Sequence, residues 1–150
     1  MKYTYVLIAA AASLLVFSGC GSGPSVSASG KIPPWVEKTP SDGEYIYSVG
    51  ISGKTFYPTD AITYATENAR REIASMIRTR IVSMTETHDS TRRDDISIES
   101  IAVTDEDLQG TEVTRRWIDR NGISGVAAGT TYVLLRMERS QFEQLVQKYR

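Results

Sequence analysis

Two neighbouring stretches decide the fold: Glu44–Ser52, EYIYSVGIS, and residues 58–87, PTDAITYATENARREIASMIRTRIVSMTET. In the first, Tyr45, Tyr47, Val49 and Ile51 alternate with Ile46, Ser48, Gly50 and Ser52, the period of two that marks a β-strand. Gly50 falls on the small-residue face, where the backbone of a helix could come close. In the second stretch the apolar set Ile62, Ala65, Ala69, Ile73, Met76, Ile77, Ile81 and Met84 recurs every three or four residues, so a long amphipathic helix is predicted from Pro58 to about Thr87. Ala61, Ala65 and Ala69 gather in its first half and fit that end to lie against a sheet. Glu67 and Arg71 are spaced for an i,i+4 pair on the solvent side, worth only a few tenths of a kcal/mol (~0.3).

Working outward toward the C-terminus, the polar run His88–Asp95 predicts a loop. Residues 96–108 are open between two readings: Ile98, Ile101, Ala102, Asp105 and Leu108 lean toward a short helix ended by Gly110, while Ile96 and Ile98 suggest a strand. Thr111–Asp119 is β-rich, Arg120-Asn121-Gly122 signals a turn, and Thr130–Glu138 is a second β-rich run. Within it Tyr132-Val133-Leu134-Leu135 is apolar on both faces, as expected of a central strand covered on both sides. Ser140-Gln141-Phe142-Glu143 has the spacing of a capping box, and Phe142, Leu145, Val146 and Tyr149 form the buried stripe of a last helix. The expected class is therefore α+β: a long helix packed on a small three-stranded sheet, in the order β-α-α-β-β-α.

Working outward in the other direction, Ile32-Pro33-Pro34-Trp35-Val36 is expected to be extended because of its prolines, with Trp35 plugging into the domain. Before it, Gly21–Lys31 is rich in Gly and Ser and reads as a flexible tether. At the start, Lys2 precedes thirteen uncharged residues, Tyr5–Phe17. That is short of the ~20 residues needed to span a bilayer but suits the core of a signal peptide. It closes on Phe17-Ser18-Gly19-Cys20, two small residues directly before a cysteine, which resembles a bacterial lipobox with Phe17 where Leu is preferred. Cleavage between Gly19 and Cys20 and acylation of the Cys20 thiol are expected. The expected division is a signal peptide at 1–19, lipidated cysteine and tether at 20–31, and one domain at 32–150. With Gly21, rather than Asp, after the cysteine, the resemblance to bacterial lipoproteins implies sorting to the outer membrane, facing the periplasm or the surface. Two or three acyl chains would hold the protein there almost permanently.

Charge and composition exclude several functions. The chain carries 17 Lys+Arg against 18 Asp+Glu, a net −1, and loss of Lys2 with the signal peptide leaves −2. That balance provides no electrostatic footprint for nucleic acid. With Cys20 as the lone cysteine and His88 as the lone histidine, neither a disulfide nor a usual zinc ligand set can be assembled. The carboxylates Asp94, Asp95, Glu99 and Asp105-Glu106-Asp107 lack the spacing that wraps calcium and read as a solvated acidic loop. Gly122, Gly125 and Gly129 lie between two strands, not between a strand and a helix as a dinucleotide-binding loop would. Arg115 and Arg116 flank Trp117 on opposite strand faces, and Trp117 is expected in the core. No catalytic residue, cofactor or metal is expected.

Pro34-Trp35-Val36, Ser48-Val49-Gly50, the helix segment with Ala65, Ala69, Arg70, Glu72, Ile73 and Ala74, and the late hairpin with Trp117, Asp119, Gly122 and Tyr132-Val133-Leu134 occur in the order of a known family. With the lipobox, the chain resembles the lipoprotein-twenty family of small bacterial outer-membrane lipoproteins, which is related to a flagellar lipoprotein. The resemblance implies a dodecin-like α+β domain and a structural or surface-associated envelope role, sometimes flagellar, and it carries over no catalytic residue. The last helix has only four apolar residues to cover the second sheet face, so Tyr45, Tyr47, Tyr132 and Leu134 are expected to form an exposed interaction surface. That face, or the free sheet edge, would contact a second copy or an envelope protein, and a small ligand on the Tyr-rich face is the alternative.

Overall fold

A computed structural model describes residues 25–27, 30–88 and 101–149, with the backbone alone at 25–27 and 85–88. The expected signal peptide and its expected Gly19–Cys20 cleavage, the acidic pair Asp94-Asp95, Glu99 and the Ile96–Ile98 stretch lie outside the described residues, as does the side chain of His88. The elements are β1 (Ser25–Ser27), α1 (Pro34–Glu37), β2 (Tyr45–Ser52), α2 (Pro58–His88), β3 (Glu112–Asp119), β4 (Thr130–Glu138) and α3 (Arg139–Tyr149). Strands β3, β4 and β2 form the expected three-stranded antiparallel sheet with β4 at its centre, and the class is α+β. Three residues of the stretch read as tether add β1 in parallel to β3, so the sheet order is β1-β3-β4-β2.

Register sorts the side chains. Ile46, Ser48 and Gly50 of β2 lie opposite Met137, Leu135 and Val133 of β4, and this face carries α2. The contact is nearly backbone to backbone. A Cβ built on Gly50 would stand 1.8 Å from the Ala65 carbonyl oxygen and 2.6 Å from the Ala69 nitrogen. The Ser48 hydroxyl donates to the Ala69 carbonyl at 2.9 Å, and Asn68 Nδ2 donates to the Ile51 carbonyl at 2.7 Å. Small residues on both partners allow the approach, and the two side-chain bonds lock the helix in place along the strand.

With 31 residues, α2 is about 46 Å long at 1.5 Å per residue and far outruns its strands. Its outer half needs other cover. Ile73, Ile77 and Ile81 pack with Leu135 and Met137 of the sheet, with Ile101 and Leu108 of the segment before β3, and with Phe142, Leu145 and Val146 of α3. All of them are buried in one aliphatic cluster.

Several expectations are corrected. First, α3 joins α2 on the same sheet face instead of covering the second one. It follows β4 without a loop, and the Arg139 N–H donates to the Glu44 carbonyl at 2.9 Å, so the helix starts turned back beside the sheet. For the same reason the capping box is not made: Ser140 lies inside the first turn, and its hydroxyl donates to Glu138 Oε2 at 3.3 Å. Second, the described part of 96–108 is not a helix. Residues 105–110 are turns closed by i→i+3 bonds such as Leu108 N–H to the Asp105 carbonyl at 3.2 Å, and the Asp107 carboxylate accepts from the Thr104 amide at 3.0 Å. Side chain-to-backbone bonds of this kind compete with helix formation. Third, Pro33 is extended but Pro34 opens a one-turn helix, a position where its missing N–H costs nothing. Fourth, Glu67 pairs with Arg70 at 2.7 Å, and Arg71 bonds Asn68, so the Glu67–Arg71 pair does not form.

Candidate binding cleft and apolar end

The second sheet face carries Tyr45, Tyr47, Val49 and Ile51 of β2, Tyr132, Leu134 and Arg136 of β4, and Arg115 and Trp117 of β3. With both long helices on the other side, this face is closed by the N-terminal segment. Trp35 descends from α1 and is 4% exposed, forming a small aromatic cluster with Trp117, Tyr132 and Leu134. Trp117 and Tyr132 stack obliquely with ring centroids 5.2 Å apart. The expected exposure of Tyr132 and Leu134 is thus corrected. They are 3% and 2% exposed because Trp35 seals them. Tyr45 and Tyr47 remain half-buried beside this cover.

Polar bonds set the edge of the face. The Tyr47 hydroxyl donates to Asp42 Oδ2 at 2.8 Å, while Asp42 Oδ1 accepts the backbone N–H groups of Tyr45 and Glu44. The Tyr45 amide first, then the Tyr47 hydroxyl, hold the Asp42 carboxyl below its usual range, and the Asp42 carboxylate raises Tyr47 in return. Arg136 donates from Nε and Nη2 to Glu112 Oε2 at 2.9 and 2.7 Å, with its guanidinium 4.3 Å from the centre of the Tyr45 ring.

Between α1 with the residues after it and strands β3 and β4 lies an open cleft of ≈ 450 Å³. Trp35, Leu134 and Tyr47 give it an apolar lining, and Lys38, Arg115 and Arg136 provide three cations. A β-bulge builds part of the wall. The register between β3 and β4 slips between Val113 and Arg115, so both Thr114 and Arg115 line the cleft where strict alternation would admit one of them. Thr114 donates to the Leu134 carbonyl at 3.2 Å. Arg115 and Arg116 do lie on opposite faces, and Trp117 is buried, as expected.

Two buried carboxylates tie down the framework. Asp119 accepts from the N–H groups of Asn121, Ile123 and Ser124 and from the Ser124 hydroxyl, which also bonds Tyr132. Burial pushes its carboxyl up, but the Ser124 hydroxyl and the three amides outweigh burial and hold it at about 2. Gly122, Gly125 and Gly129 adopt positive φ in the loop this carboxylate organises. Asp107 accepts from Lys148 Nζ at 2.8 Å and from the Tyr149 hydroxyl at 2.5 Å, which hold it far below the usual range. The solvated acidic loop expected at 105–107 is therefore corrected at Asp107, which is buried and fixes α3 to the turn before β3. Among the described residues, no group of three His, Cys, Asp or Glu is placed to hold a metal ion.

Among the described residues, the large apolar side chains that stand exposed collect at one end of the molecule. Ile51 closes β2, Phe56 and Tyr57 form an edge-to-face pair in the β2–α2 loop, Tyr64 lies near the start of α2, and Ile123 and Val126 sit in the β3–β4 loop. Phe56 is 89% exposed. The two loops touch, since a Cβ on Gly129 would meet the Lys54 side chain at 3.1 Å. Sequence reading missed this end, although two adjacent aromatics in a polar loop were a legible signal. It also missed the cleft, whose cations come from three distant segments. A family model described as LPP20 lipoprotein matches residues 33–138, which span α1 to the end of β4. Neither a curated protein nor a solved structure matches the chain.

Proposed function

The chain belongs to the LPP20 lipoprotein family, and from that premise we propose that it is an outer-membrane lipoprotein, anchored through acylated Cys20, that works by protein contact and not by catalysis. The contact is made by the apolar end, with an envelope protein or a second copy as the partner and flagellar envelope structure as one setting. One observation carries the reading: among the described residues, the six large apolar side chains that stand exposed gather at this end. Exposed apolar surface gathered in one place is the usual mark of a protein interface.

The anchor supports it. No helix among the described residues is long and apolar enough to cross a membrane, and the attachment proposed is the acyl chain on Cys20. Cys20 precedes Ser25, the first residue of β1, by five positions. Five residues span at most ~17 Å, which would keep the domain close to the bilayer with its partners confined to the same layer.

The test is crosslinking in intact cells with a photo-reactive residue at position 56, followed by mass spectrometry. A defined envelope protein or the chain itself should be captured, and Tyr57→Ser with Tyr64→Ser should abolish capture without lowering the melting temperature. Unchanged capture in that variant overturns the contact. A Cys20→Ser protein that is still cut after Gly19 and still sediments with membranes overturns the anchor.

A further inference from the structure

We propose that the cleft beside α1 is a binding site for a small anion with an apolar body, the oxyanion (a carboxylate or a phosphate monoester) lying between Lys38 and Arg115 and the body against Pro34, Pro40 and Tyr47. This inference rests on a different part of the molecule from the partner-docking end and stands apart from it.

Size comes first. At ≈ 450 Å³ the cleft falls within the ~300–1,000 Å³ of small-molecule sites. Charge decides the class of ligand. Lys38, Arg115 and Arg136 line the cleft and no acidic side chain does, in a chain whose overall charge is −1. The local excess is therefore not a property of the whole surface. Glu112 lies outside the lining and already takes the Nε and Nη2 groups of Arg136, which leaves Lys38 and Arg115, both exposed, to meet an incoming anion. Like charges gathered in a concave, partly apolar wall raise the local concentration of the opposite charge. The bulge is the second observation. It costs β3 a regular ladder step and brings Arg115 and Thr114 into the same wall, the kind of local distortion found where a strand re-aims a side chain toward a site. The lining is also firm: the accessible Tyr47 packs against the buried cluster of Trp35 and Leu134, so a ligand would meet a preformed surface.

The experiment titrates the mature lipoprotein, in nanodiscs of phosphatidylcholine, with phenyl phosphate, benzoate and uncharged benzyl alcohol, read by tryptophan fluorescence because Trp35 lines the cleft. Phenyl phosphate or benzoate should bind saturably and benzyl alcohol at least tenfold more weakly. Lys38→Ala with Arg115→Ala should weaken the anions at least tenfold, whereas Arg120→Ala, an exposed cation elsewhere, should leave them unchanged. Tighter phenyl phosphate points to a phosphorylated natural ligand and tighter benzoate to a carboxylate; either supports the site. Absence of saturable anion binding, equal binding of benzyl alcohol, or equal losses in the Arg120 variant overturns it.

Discussion

On one face of the sheet, Gly50 and Ser48 meet Ala65 and Ala69 so closely that two backbones nearly touch, and the rest is filled by aliphatic side chains from two helices. On the other face, a four-residue helix lowers one tryptophan onto two aromatic rings and a leucine. The first face is closed by regular elements that pack into one buried apolar cluster. The second is closed by a side chain on an irregular segment, and what this cover leaves open is the cationic cleft. The contrast assigns roles: stability is concentrated under α2, and surface chemistry is concentrated on the side where cover is thin.

The sharpest way to break this comparison is at Gly50. Even a single methyl group there would stand 1.8 Å from the Ala65 carbonyl oxygen, and neither backbone can yield without moving α2 off the strand. Gly50→Ala should cost at or above the ~3 kcal/mol upper end of overpacking effects, seen as loss of the folded protein or a collapse of its urea midpoint. Gly53, four residues nearer to α2 than Val49, meets nothing within 4 Å, so Gly53→Ala should be close to neutral. Equal effects at the two positions would mean that the helix is not seated as described.

Trp35→Ala tests the other face and should cost ~3 kcal/mol, the lower end for a buried Trp or Phe, because a one-turn helix can relax into the space it leaves. The loss should appear in the urea midpoint with far-UV circular dichroism otherwise unchanged. A cost below ~1 kcal/mol would be that of a surface position and would remove the second face from the core.

Much of the helical face was legible because its signals are local. The alternation of 44–52 placed Gly50 and Ser48 together, and the three-and-four spacing after Pro58 placed Ala65 and Ala69 on the facing stripe. The stripe of the last helix was equally clear, but a stripe says which side of a helix is buried and not which side of the sheet it meets. That choice was made by the absence of any loop between Glu138 and Arg139. The exposure expected for Tyr132 and Leu134 came from placing that helix on the second face with too few apolar residues to cover it, whereas Trp35 seals that surface. The cleft was illegible for a related reason: positions 38, 115 and 136 become neighbours only through the β3–β4 register and its bulge. Asp107 looked like one of three solvated acids because its partners, Lys148 and Tyr149, are some forty residues away.

The smallest expected effect distinguishes the two faces by how each holds a buried carboxylate. Asp107, on the helical side, is held by a cation and a phenol beside the Thr104 amide and hydroxyl, whereas Asp119, on the second face, is held by neutral donors alone, three amides and a hydroxyl. Both are held below the ~3.9 of an aspartate in an unfolded chain, Asp119 at about 2. A folded-state value below the unfolded one means that the contribution is complete above about pH 4 and is lost as the pH falls toward 2. Asp119→Asn removes that titration while keeping the side chain's size, so the variant should be less stable at pH 7 and its urea midpoint should fall less steeply from pH 4 to pH 2. Because the Asp119 network is built from neutral donors, this slope should survive added salt better than the slope due to Asp107, whose partner Lys148 is itself well exposed and screened. An Asp119→Asn protein with the parent's full acid slope would show that the carboxyl titrates alike in the folded and unfolded states, and the amide cradle around it would need another explanation.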